Sequence, residues 1–270
     1  MQQDGTAEDR GQRSGIDASV PHSARFWNYL LGGKDNYQVD RDIGDYVQER
    51  FPRMVTVARE SRSFLSRAVR HVVEEEGVRQ FLDIGTGLPT ADNTHEVAQR
   101  HAPEARIVYV DNDPLVLVHA RALLASSPEG ATTYVHADVR EPERILEEAR
   151  ETLDFSRPVC LVLMGVLGHI ADVAEAEGII DRLLGGLPVA STFIHYEGTD
   201  THEQMIEANR DYEGSGAVPY RVRTPEQVRS AFRDLELVDP GVVPVNLWKP
   251  AEQTPRGDVD AYGGVGRKTR

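Results

Sequence analysis

Apolar positions along this chain follow one pattern up to about residue 78 and a different pattern after it. In the first part they recur at helical spacing, which predicts three helices at about 22–31, 38–50 and 55–76. The third helix has the clearest apolar stripe, formed by Phe64, Leu65, Ala68, Val69, Val72 and Val73. Gly32-Gly33 marks the end of the first helix, because glycine readily adopts the backbone conformation that stops a helix.

After residue 78, short runs rich in β-branched and aromatic residues alternate with amphipathic helical stretches. The predicted strands are "RQFLDIG" (79–85), "RIVYVD" (106–111), "TTYVHAD" (132–138), "VCLVLM" (159–164) and "ASTFIHY" (190–196). The predicted helices lie at about 91–101, 114–126, 141–152 and 174–186. Such alternation is typical of βαβ units, so we expect an α/β fold with a parallel sheet covered on both faces.

The C-terminal part departs from this alternation. A predicted helix at about 225–234 is followed by "LELVDPGVVPV" and "DAYGGVGRK", two extended runs without a helix between them. Strands joined without a crossover helix pair in antiparallel fashion. We therefore predict a mostly parallel, seven-stranded sheet that ends in an antiparallel hairpin. The predicted divisions are a disordered polar tail (1–20), an N-terminal helical cover (21–78) and an α/β domain (79–270).

Composition narrows the classes of partner. The chain has 44 acidic and 30 basic residues, a formal charge of −14, which repels phosphate backbones and disfavours nucleic acid. The N-terminal segment lacks the apolar stretch of a signal peptide, and no apolar run approaches the roughly 20 residues of a membrane span. The single cysteine, Cys160, lies inside a predicted strand, where we expect a buried apolar role. We therefore expect a cytoplasmic protein without a membrane partner.

The motif "FLDIGTG" carries the first candidate chemistry. An apolar strand leads to Asp83, and Gly85-Thr86-Gly87 follow at the carboxyl edge of the sheet, where open α/β sheets bind ligands. A tight turn between strand and helix would explain these glycines equally well. Asp111 and Asp138 end the next two strands at the same edge, where they can accept from ribose hydroxyls and from an adenine amino group. For either acid alone, capping of the next helix is the alternative.

Two classes of adenosine cofactor remain, and the glycine loop favours one of them. A dinucleotide site needs a third glycine or alanine near the helix start, but "GTGLPT" has Thr90 there, preceded by Pro89. Asp83 is also poorly placed beside a phosphate, whereas it suits a cationic ligand. S-adenosylmethionine carries a sulfonium and an ammonium group and no phosphate. We therefore predict S-adenosylmethionine, with NAD(P) as the alternative.

These motifs resemble those of class I S-adenosylmethionine-dependent methyltransferases, across about residues 79–267. The segments "PHSARFWNYLLGGKDNY", "QFLDIGTGLPT", "VYVDNDP" and "YGGVGRK" are similar to one actinobacterial methyltransferase group with an N-terminal GGKDN segment. The resemblance implies a Rossmann-like class I methyltransferase fold. It also implies cofactor contacts to the methionine part from Gly85, Thr86 and Gly87, to the ribose from Asp111 and Asn112, and to the adenine from Asp138 and Val139.

Methyl transfer to a hydroxyl or a protonated amine needs a base. The fourth strand ends at Met164, which we place beside the cofactor, and the following loop "GVLGHI" brings His169 near the expected methyl position. His169 is therefore the candidate base, with a packing role as the alternative. His195 and Glu197 follow the fifth strand; a buried structural histidine and a solvated loop acid are their alternatives. The histidines do not cluster at metal-ligand spacing, so we expect no metal site.

The stretch "GGKDN" is not a phosphate-binding loop, because Lys34 follows a helix and precedes Asp35. Class I methyltransferases often place an N-terminal helical segment across the cofactor cleft. We therefore expect residues 22–41 to cover the cleft, with Tyr29, Gly33 and Asn36 near the cofactor or acceptor.

The sequence as a whole predicts an S-adenosylmethionine-dependent methyltransferase that acts on a small molecule. A non-catalytic protein that binds the same cofactor is the alternative from another class, and an NAD(P)-dependent oxidoreductase is the third. The sequence leaves the acceptor atom and the oligomeric state open.

Overall fold

An eight-stranded sheet with helices on both faces forms the centre of the computed structural model, which describes residues 17–123, 126–250, 257 and 259–270. The strands are β1 (Gln80–Ile84), β2 (Arg106–Asp111), β3 (Ala131–His136), β4 (Cys160–Met164), β5 (Thr192–Gly198), β6 (Glu236–Leu237), β7 (Val243–Pro244) and β8 (Ala261–Arg267). The helices are α1 (Ser23–Leu30), α2 (Gln38–Arg50), α3 (Met54–Glu74), α4 (Thr94–His101), α5 (Pro114–Leu123), α6 (Pro142–Ala149), α7 (Val173–Gly185), α8 (Glu203–Gly214) and α9 (Pro225–Ser230).

The strand order is β3-β2-β1-β4-β5-β8-β6, and β1 to β5 pair in parallel. The chain winds outwards from β1 in one direction through β2 and β3, and then in the other direction through β4 and β5. The order therefore reverses between β1 and β4. Crevices at such reversal points, beyond the carboxyl ends of the strands, are where open α/β sheets bind their ligands.

The C-terminal strands pair in antiparallel fashion, as the sequence predicts, and β8 runs opposite to β1–β5. β8 pairs antiparallel with β5 along its whole length and also with β6 and β7. The predicted sixth strand is split into the two short strands β6 and β7, because the chain turns between them. In this turn the amide of Gly241 donates to the carbonyl of Val238 at 2.8 Å. The predicted fold class is confirmed, with two short strands in place of one.

The sheet separates two hydrophobic clusters. Successive side chains of β1 point to opposite faces, so Phe81 contributes to the cluster beneath α1 to α4, whereas Leu82 contributes to the cluster beneath α6, α7 and α9. Both residues are fully buried. Phe26 of α1 and Phe64 of α3 belong to the same cluster as Phe81, so the N-terminal helices share a core with the sheet.

The three N-terminal helices agree with the predicted spans within two residues at each end. The helix stop predicted at Gly32-Gly33 is also confirmed. The amide of Gly32 donates to the carbonyl of Tyr29 at 2.9 Å, and that of Gly33 donates to the carbonyl of Asn28 at 2.8 Å. Gly32 has a φ of +82°. This pattern satisfies the last carbonyls of the helix and favours glycine at its positive-φ position.

A buried carboxylate joins α1 to α2. Asp40 is completely buried and accepts from the amide of His22 at 3.0 Å, from the amide of Tyr37 at 2.8 Å and from Arg25 Nε at 3.1 Å. The other nitrogens of Arg25 donate to the carbonyls of Asp17 and Val20. A buried ion pair of this kind depends on both partners, because either charge alone would be left without compensation.

The predicted tail (1–20) lies almost entirely outside the described residues, of which only 17–20 fall within it. None of the helices in the described ranges has both the length and the apolar character needed to cross a bilayer.

We expect Asp40→Ala to lower the free energy of unfolding by about 3–5 kcal/mol, because it leaves the guanidinium of Arg25 buried without a counter-charge. Urea unfolding followed by circular dichroism measures this effect. Glu49→Ala, an exposed acid on the same helix, is the matched control and should change stability by less than about 0.5 kcal/mol. Equal effects of the two substitutions would contradict the role assigned to Asp40.

Candidate active site

A cleft opens at the carboxyl ends of the four neighbouring strands β3, β2, β1 and β4. Ten of the predicted site residues line it: Asp83, Gly85, Thr86, Gly87, Asp111, Asn112, Asp138, Val139, Met164 and His169. The parallel pairing of the strands brings these residues together, because strand ends that are distant in sequence meet at one edge of the sheet.

The glycine loop folds back onto β2. The amide of Gly85 donates to the carbonyl of Val110 at 2.8 Å, and the hydroxyl of Thr86 donates to the same carbonyl at 3.1 Å. A Cβ on Gly85 would lie 2.5 Å from Val166 Cγ2. Glycine is therefore required at this position by the packing of the protein's own side chains. A Cβ on Gly87 would meet no atom within 4 Å. The two glycines therefore serve different purposes, since only Gly87 faces open space.

Asp111 holds this loop against the end of β2. One of its oxygens accepts from the amide of Gly87 and the other from the amide of Asp113, each at 2.9 Å. Burial raises the pKa of Asp111. The residue that caps α5 is Asp113, whose Oδ1 accepts from the amide of Leu115 at 2.8 Å. Helix capping therefore does not explain Asp111.

Asn112 and Asp138 connect the ends of β2 and β3. The amide group of the Asn112 side chain donates to Asp138 Oδ2 at 3.2 Å. Asp138 Oδ1 also accepts from the amide of Arg140 at 2.9 Å. Both side chains are partly exposed in the cleft, where a ligand can reach them.

Asp83 lies at the buried end of the cleft beside Thr94 and Arg62, two residues that no sequence motif indicates. Burial raises its pKa to about 6, while a hydrogen bond from Thr94 Oγ1 at 2.6 Å and the charge of Arg62 oppose that rise. Arg62 comes from α3, lines the cleft, and donates through one nitrogen to the carbonyls of Ala91 and Asp92. Within the described residues, its buried Nε has no hydrogen-bond partner.

His169 ends a short 3₁₀ turn (Leu167–His169) after β4. Its Nδ1 lies 2.9 Å from the carbonyl oxygen of Pro219. A carbonyl only accepts, so Nδ1 carries the proton and Nε2 of the neutral ring keeps its lone pair. Burial lowers the pKa of His169, which favours this neutral form.

Glu197 is buried beneath the same turn and is not a solvated loop acid. Its oxygens accept from the amides of Leu167 at 3.0 Å and Gly168 at 3.1 Å, and from the hydroxyl of Tyr220 at 2.6 Å. Burial raises the pKa of Glu197 to about 7, although Tyr220, Arg223 and the two amides oppose this shift. Glu197 thus connects β5 to the turn that carries His169.

His195 has the structural role that was the alternative for it. Its Nδ1 lies 3.0 Å from the carbonyl oxygen of Leu163, and its ring stacks on Phe193 with 5.3 Å between the ring centroids. Burial lowers the pKa of His195 to about 4. Within the described ranges, no group of three or more His, Cys, Asp or Glu side chains is arranged to hold a metal ion.

Helix α1 contributes to the cleft, but through residues other than those predicted. Trp27, Asn28 and Leu31 line the cleft, and they recur at the spacing of one helical face. His22, just before α1, also lines it, with Nδ1 3.1 Å from Asp113 Oδ2. The start of α1 is therefore in contact with the loop that follows β2.

Tyr29, Gly33 and Asn36 do not line the cleft. The hydroxyl of Tyr29 donates to Asp45 at 2.5 Å, because its position on α1 turns the side chain towards α2. Asn36 Nδ2 donates to Asn28 Oδ1 at 2.8 Å and to the carbonyl of Gly33 at 3.0 Å. Asn36 and Gly33 thus contact the cleft residue Asn28 from behind.

Comparison with known proteins agrees with this arrangement. A family model described as S-adenosyl methyltransferase matches residues 9–269. A DUF574-family protein from Streptomyces avermitilis is 43% identical, with a TM-score of 0.90 over 93% of this chain and 99% of that chain. A protein from Thermobifida fusca is 40% identical, with a TM-score of 0.87 over 95% of this chain and 98% of that chain.

The CurJ carbon methyltransferase is similar in fold alone, at 14% identity and a TM-score of 0.55 over 91% of this chain and 67% of that chain. No curated protein matches the sequence. The family model spans nearly the whole chain. The chain therefore belongs to the S-adenosyl methyltransferase family, whose cofactor is S-adenosylmethionine.

Proposed function

We propose that this protein transfers the methyl group of S-adenosylmethionine to a small-molecule acceptor in the cleft at the carboxyl ends of β3, β2, β1 and β4. The observation that carries the proposal is the pair of opposite charges, Asp83 and Arg62, at the buried end of that cleft. The methionine part of the cofactor carries an ammonium and a carboxylate, so it complements such a pair. The phosphates of a dinucleotide do not, because Asp83 would repel them.

The cleft residues fit the cofactor from one end to the other. The unpaired Nε of Arg62, within the described chain, is a donor for the methionine carboxylate, and Asp83 is an acceptor for the ammonium. Gly85, Thr86 and Gly87 border this end, and Met164 lies beside the sulfonium. Asp111 and Asn112 receive the ribose hydroxyls, while Asp138 and Val139 receive the adenine. These contacts account for the residues lining the cleft at the ends of four neighbouring strands.

We also propose that residues 21–78 act as a helical cover over the bound cofactor. Trp27, Asn28 and Leu31 of α1 already lie along one wall of the cleft, which supports this role. The segment "GGKDN" then ends the covering helix and supports Asn28 from behind. We take this segment as the signature of the actinobacterial group that the sequence resembles.

The chemistry requires alignment and, for a hydroxyl or amine acceptor, removal of a proton. When bound, S-adenosylmethionine supplies a methyl group on a positively charged sulfur, which is a good leaving group. His169 is the base: Nδ1 donates to Pro219, so Nε2 is available to take the proton from the acceptor. Glu197 is a positioning residue, because it holds the amides of Leu167 and Gly168 next to His169.

A non-catalytic cofactor-binding protein remains the second candidate, and its supporting observation is the placement of His169. The lowered pKa and the contact with Pro219 would also suit a histidine that only packs between two loops. An NAD(P) site is less well supported, because Thr90 replaces the small residue that a pyrophosphate needs.

The cofactor assignment predicts that S-adenosylhomocysteine, and not NAD⁺ or NADP⁺, raises the melting temperature of the full-length protein in a thermal-shift experiment. At 100 times the dissociation constant, a specific ligand stabilises the folded state by about 2.7 kcal/mol. Stabilisation by a nicotinamide cofactor alone would overturn the proposal.

The pKa of Asp83 predicts a pH dependence of cofactor binding. The ammonium of S-adenosylhomocysteine pairs with the ionised carboxylate, whose pKa is about 6 in the free protein. Affinity should therefore rise about tenfold between pH 5 and pH 7, as the ionised fraction of Asp83 increases. Isothermal titration calorimetry across this range measures the rise. Asp83→Asn should bind more weakly and without this dependence, whereas the exposed control Asp181→Asn should behave as the wild type.

Loss of His169 should separate chemistry from binding. We expect His169→Ala to reduce transfer of labelled methyl groups into cell extract by about 10²–10⁴-fold, because general base catalysis contributes this much. Its affinity for S-adenosylhomocysteine should change less than about threefold, and His101→Ala, at the exposed last residue of α4, should retain full transfer. If His169→Ala transferred methyl groups at the wild-type rate, the packing role would be the correct one.

Glu197 predicts a pH dependence of stability. Its pKa is raised from 4.5 to about 7, so the protonated form is favoured by folding. This contribution is complete below pH 4.5 and is lost as the pH rises through 7; it amounts to about 3 kcal/mol. The free energy of unfolding of the wild type should therefore fall relative to Glu197→Gln between pH 4.5 and 7.5. The exposed control Glu207→Gln should follow the wild type. Parallel profiles for wild type and Glu197→Gln would contradict the shifted pKa.

A further inference from the structure

A second, smaller cavity adjoins the cofactor cleft. The two cavities share the side chains of Ser23, Trp27, His169 and Tyr196. The cleft continues along the strand ends from this shared wall, whereas the second cavity extends between α1, the region of α2 and α3, and α8. We call this second cavity the acceptor chamber.

The lining of the acceptor chamber is aromatic and apolar. It consists of Ser23, Phe26, Trp27, Val47, Met54, Val57, His169, Tyr196, Gly198, Met205, Ala208, Asn209, Tyr212 and Tyr220. No Asp, Glu, Lys or Arg side chain occurs among the described residues that line it. A carboxylate or phosphate inside this chamber would lose its hydration without gaining a counter-charge, at a cost of several kcal/mol. The lining therefore selects against charged ligands.

One polar atom in the chamber wall lacks a partner. The hydroxyl of Tyr212 is buried and, within the described part of the chain, makes no hydrogen bond. Its ring is held against Phe26, with 4.9 Å between the ring centroids. A buried hydroxyl without a partner costs about 1–3 kcal/mol. A ligand atom that forms a hydrogen bond with Tyr212 would remove this cost, which favours binding of a ligand with a polar atom at this position.

Two neighbouring polar side chains, Tyr220 and Asn209, are already engaged. The hydroxyl of Tyr220 accepts from the amide of Gly198 at 3.0 Å and donates to Glu197. Asn209 Nδ2 donates to the carbonyl of Met205 at 2.8 Å. The unpaired hydroxyl of Tyr212 is therefore the polar contact that α8 offers to a ligand in the chamber, in addition to His169 at the wall shared with the cleft.

We propose that the acceptor chamber binds the methyl acceptor, and that the acceptor is an uncharged, predominantly aromatic small molecule with a hydrogen-bonding oxygen or nitrogen. Its ring lies among Phe26, Trp27 and Tyr212, and its reacting hydroxyl or amine is presented to His169. A polar atom of the same molecule pairs with the hydroxyl of Tyr212. This inference rests on the proposed methyltransferase function and adds the substrate class to it.

The first experiment compares two probes with the same ring system and different charge. Equilibrium dialysis measures binding of 1-naphthol and of 1-naphthoate to the full-length protein saturated with S-adenosylhomocysteine, at pH 7. We expect 1-naphthol to bind at least tenfold more tightly, because only the carboxylate must be desolvated without a counter-charge. Equal or tighter binding of 1-naphthoate would overturn the proposal.

Two substitutions localise the binding to the chamber. Ala208 lies in its wall, so Ala208→Leu should weaken 1-naphthol binding at least tenfold by filling space. Ile206→Ala, on the exposed side of the same helix, is the matched control and should leave binding unchanged. Unchanged binding by folded Ala208→Leu would show that the probe binds elsewhere and would overturn the proposal.

Tyr212→Phe tests the unpaired hydroxyl without changing the shape of the chamber. We expect the preference of the protein for 1-naphthol over naphthalene to decrease at least fivefold in this variant. The variant itself should be at least as stable as the wild type, because the buried hydroxyl it removes has no protein partner within the described residues. An undiminished preference would overturn the role of Tyr212, and this test remains available even if Ala208→Leu does not fold.

Binding of S-adenosylhomocysteine separates the two proposals. If the cofactor product does not bind to the wild type, the proposed function fails. If the cofactor product binds with unchanged affinity in Ala208→Leu and Tyr212→Phe, but 1-naphthol binding does not depend on either residue, only the acceptor chamber is wrong. Loss of 1-naphthol binding with retained cofactor affinity supports the proposal.

Discussion

Parallel pairing of β1 with both β2 and β4 is the constraint on which the rest of the site depends. The helices that follow β1 and β4 lie on opposite faces of the sheet, so the chain leaves the two strand ends in different directions. The crevice between them cannot be filled by the sheet itself. The loops after β1, β2, β3 and β4 therefore supply most of the cleft residues, and Trp27 and Asn28 of α1 line another part of the cleft.

Burial at this crevice gives its charged groups unusual properties. Asp83 and Glu197 are both shielded from water, and burial is the largest influence on the pKa of each. The negative charges of the two carboxylates are, however, compensated by different groups. Asp83 has Thr94 and Arg62 beside an open cavity, whereas Glu197 is enclosed by Tyr220 and two backbone amides. The first arrangement leaves room for a ligand cation, and the second stiffens the loop that carries His169.

Much of the fold and the strand-end part of the site could be predicted from the sequence. Alternation of β-rich and helical runs is a local pattern, and parallel topology then places Asp83, Asp111 and Asp138 along one edge. Arg62 could not be predicted in the same way, because it belongs to α3 and reaches the cleft only through the packing of that helix on the sheet. Thr94 likewise gives no signal, since it looks like an ordinary residue at a helix start.

The N-terminal segment shows the limit of reasoning from polarity. Tyr29 and Asn36 are polar and lie in an unusual stretch, so they were expected at the cleft, but helical geometry turns Tyr29 towards α2. Apolar Trp27 and Leu31 line the cleft instead. For Glu197 the sequence left a solvated loop acid as the alternative, because a polar position near a strand end gives no indication that a later loop, carrying Tyr220, buries it. Which residues meet across the site is decided by tertiary contacts between distant segments.

The wall that the two cavities share has a thermodynamic consequence. Trp27 and His169 border the cofactor cleft on one side and the acceptor chamber on the other. A ligand that orders these side chains in one cavity therefore changes the affinity of the other cavity for its own ligand. Linkage requires such an effect to be reciprocal: if the cofactor tightens the chamber for the acceptor, the acceptor tightens the cleft for the cofactor by the same factor. Under the proposed function, the side chains that the two cavities share thereby couple the two binding equilibria, and the ternary complex is the state in which both cavities are occupied.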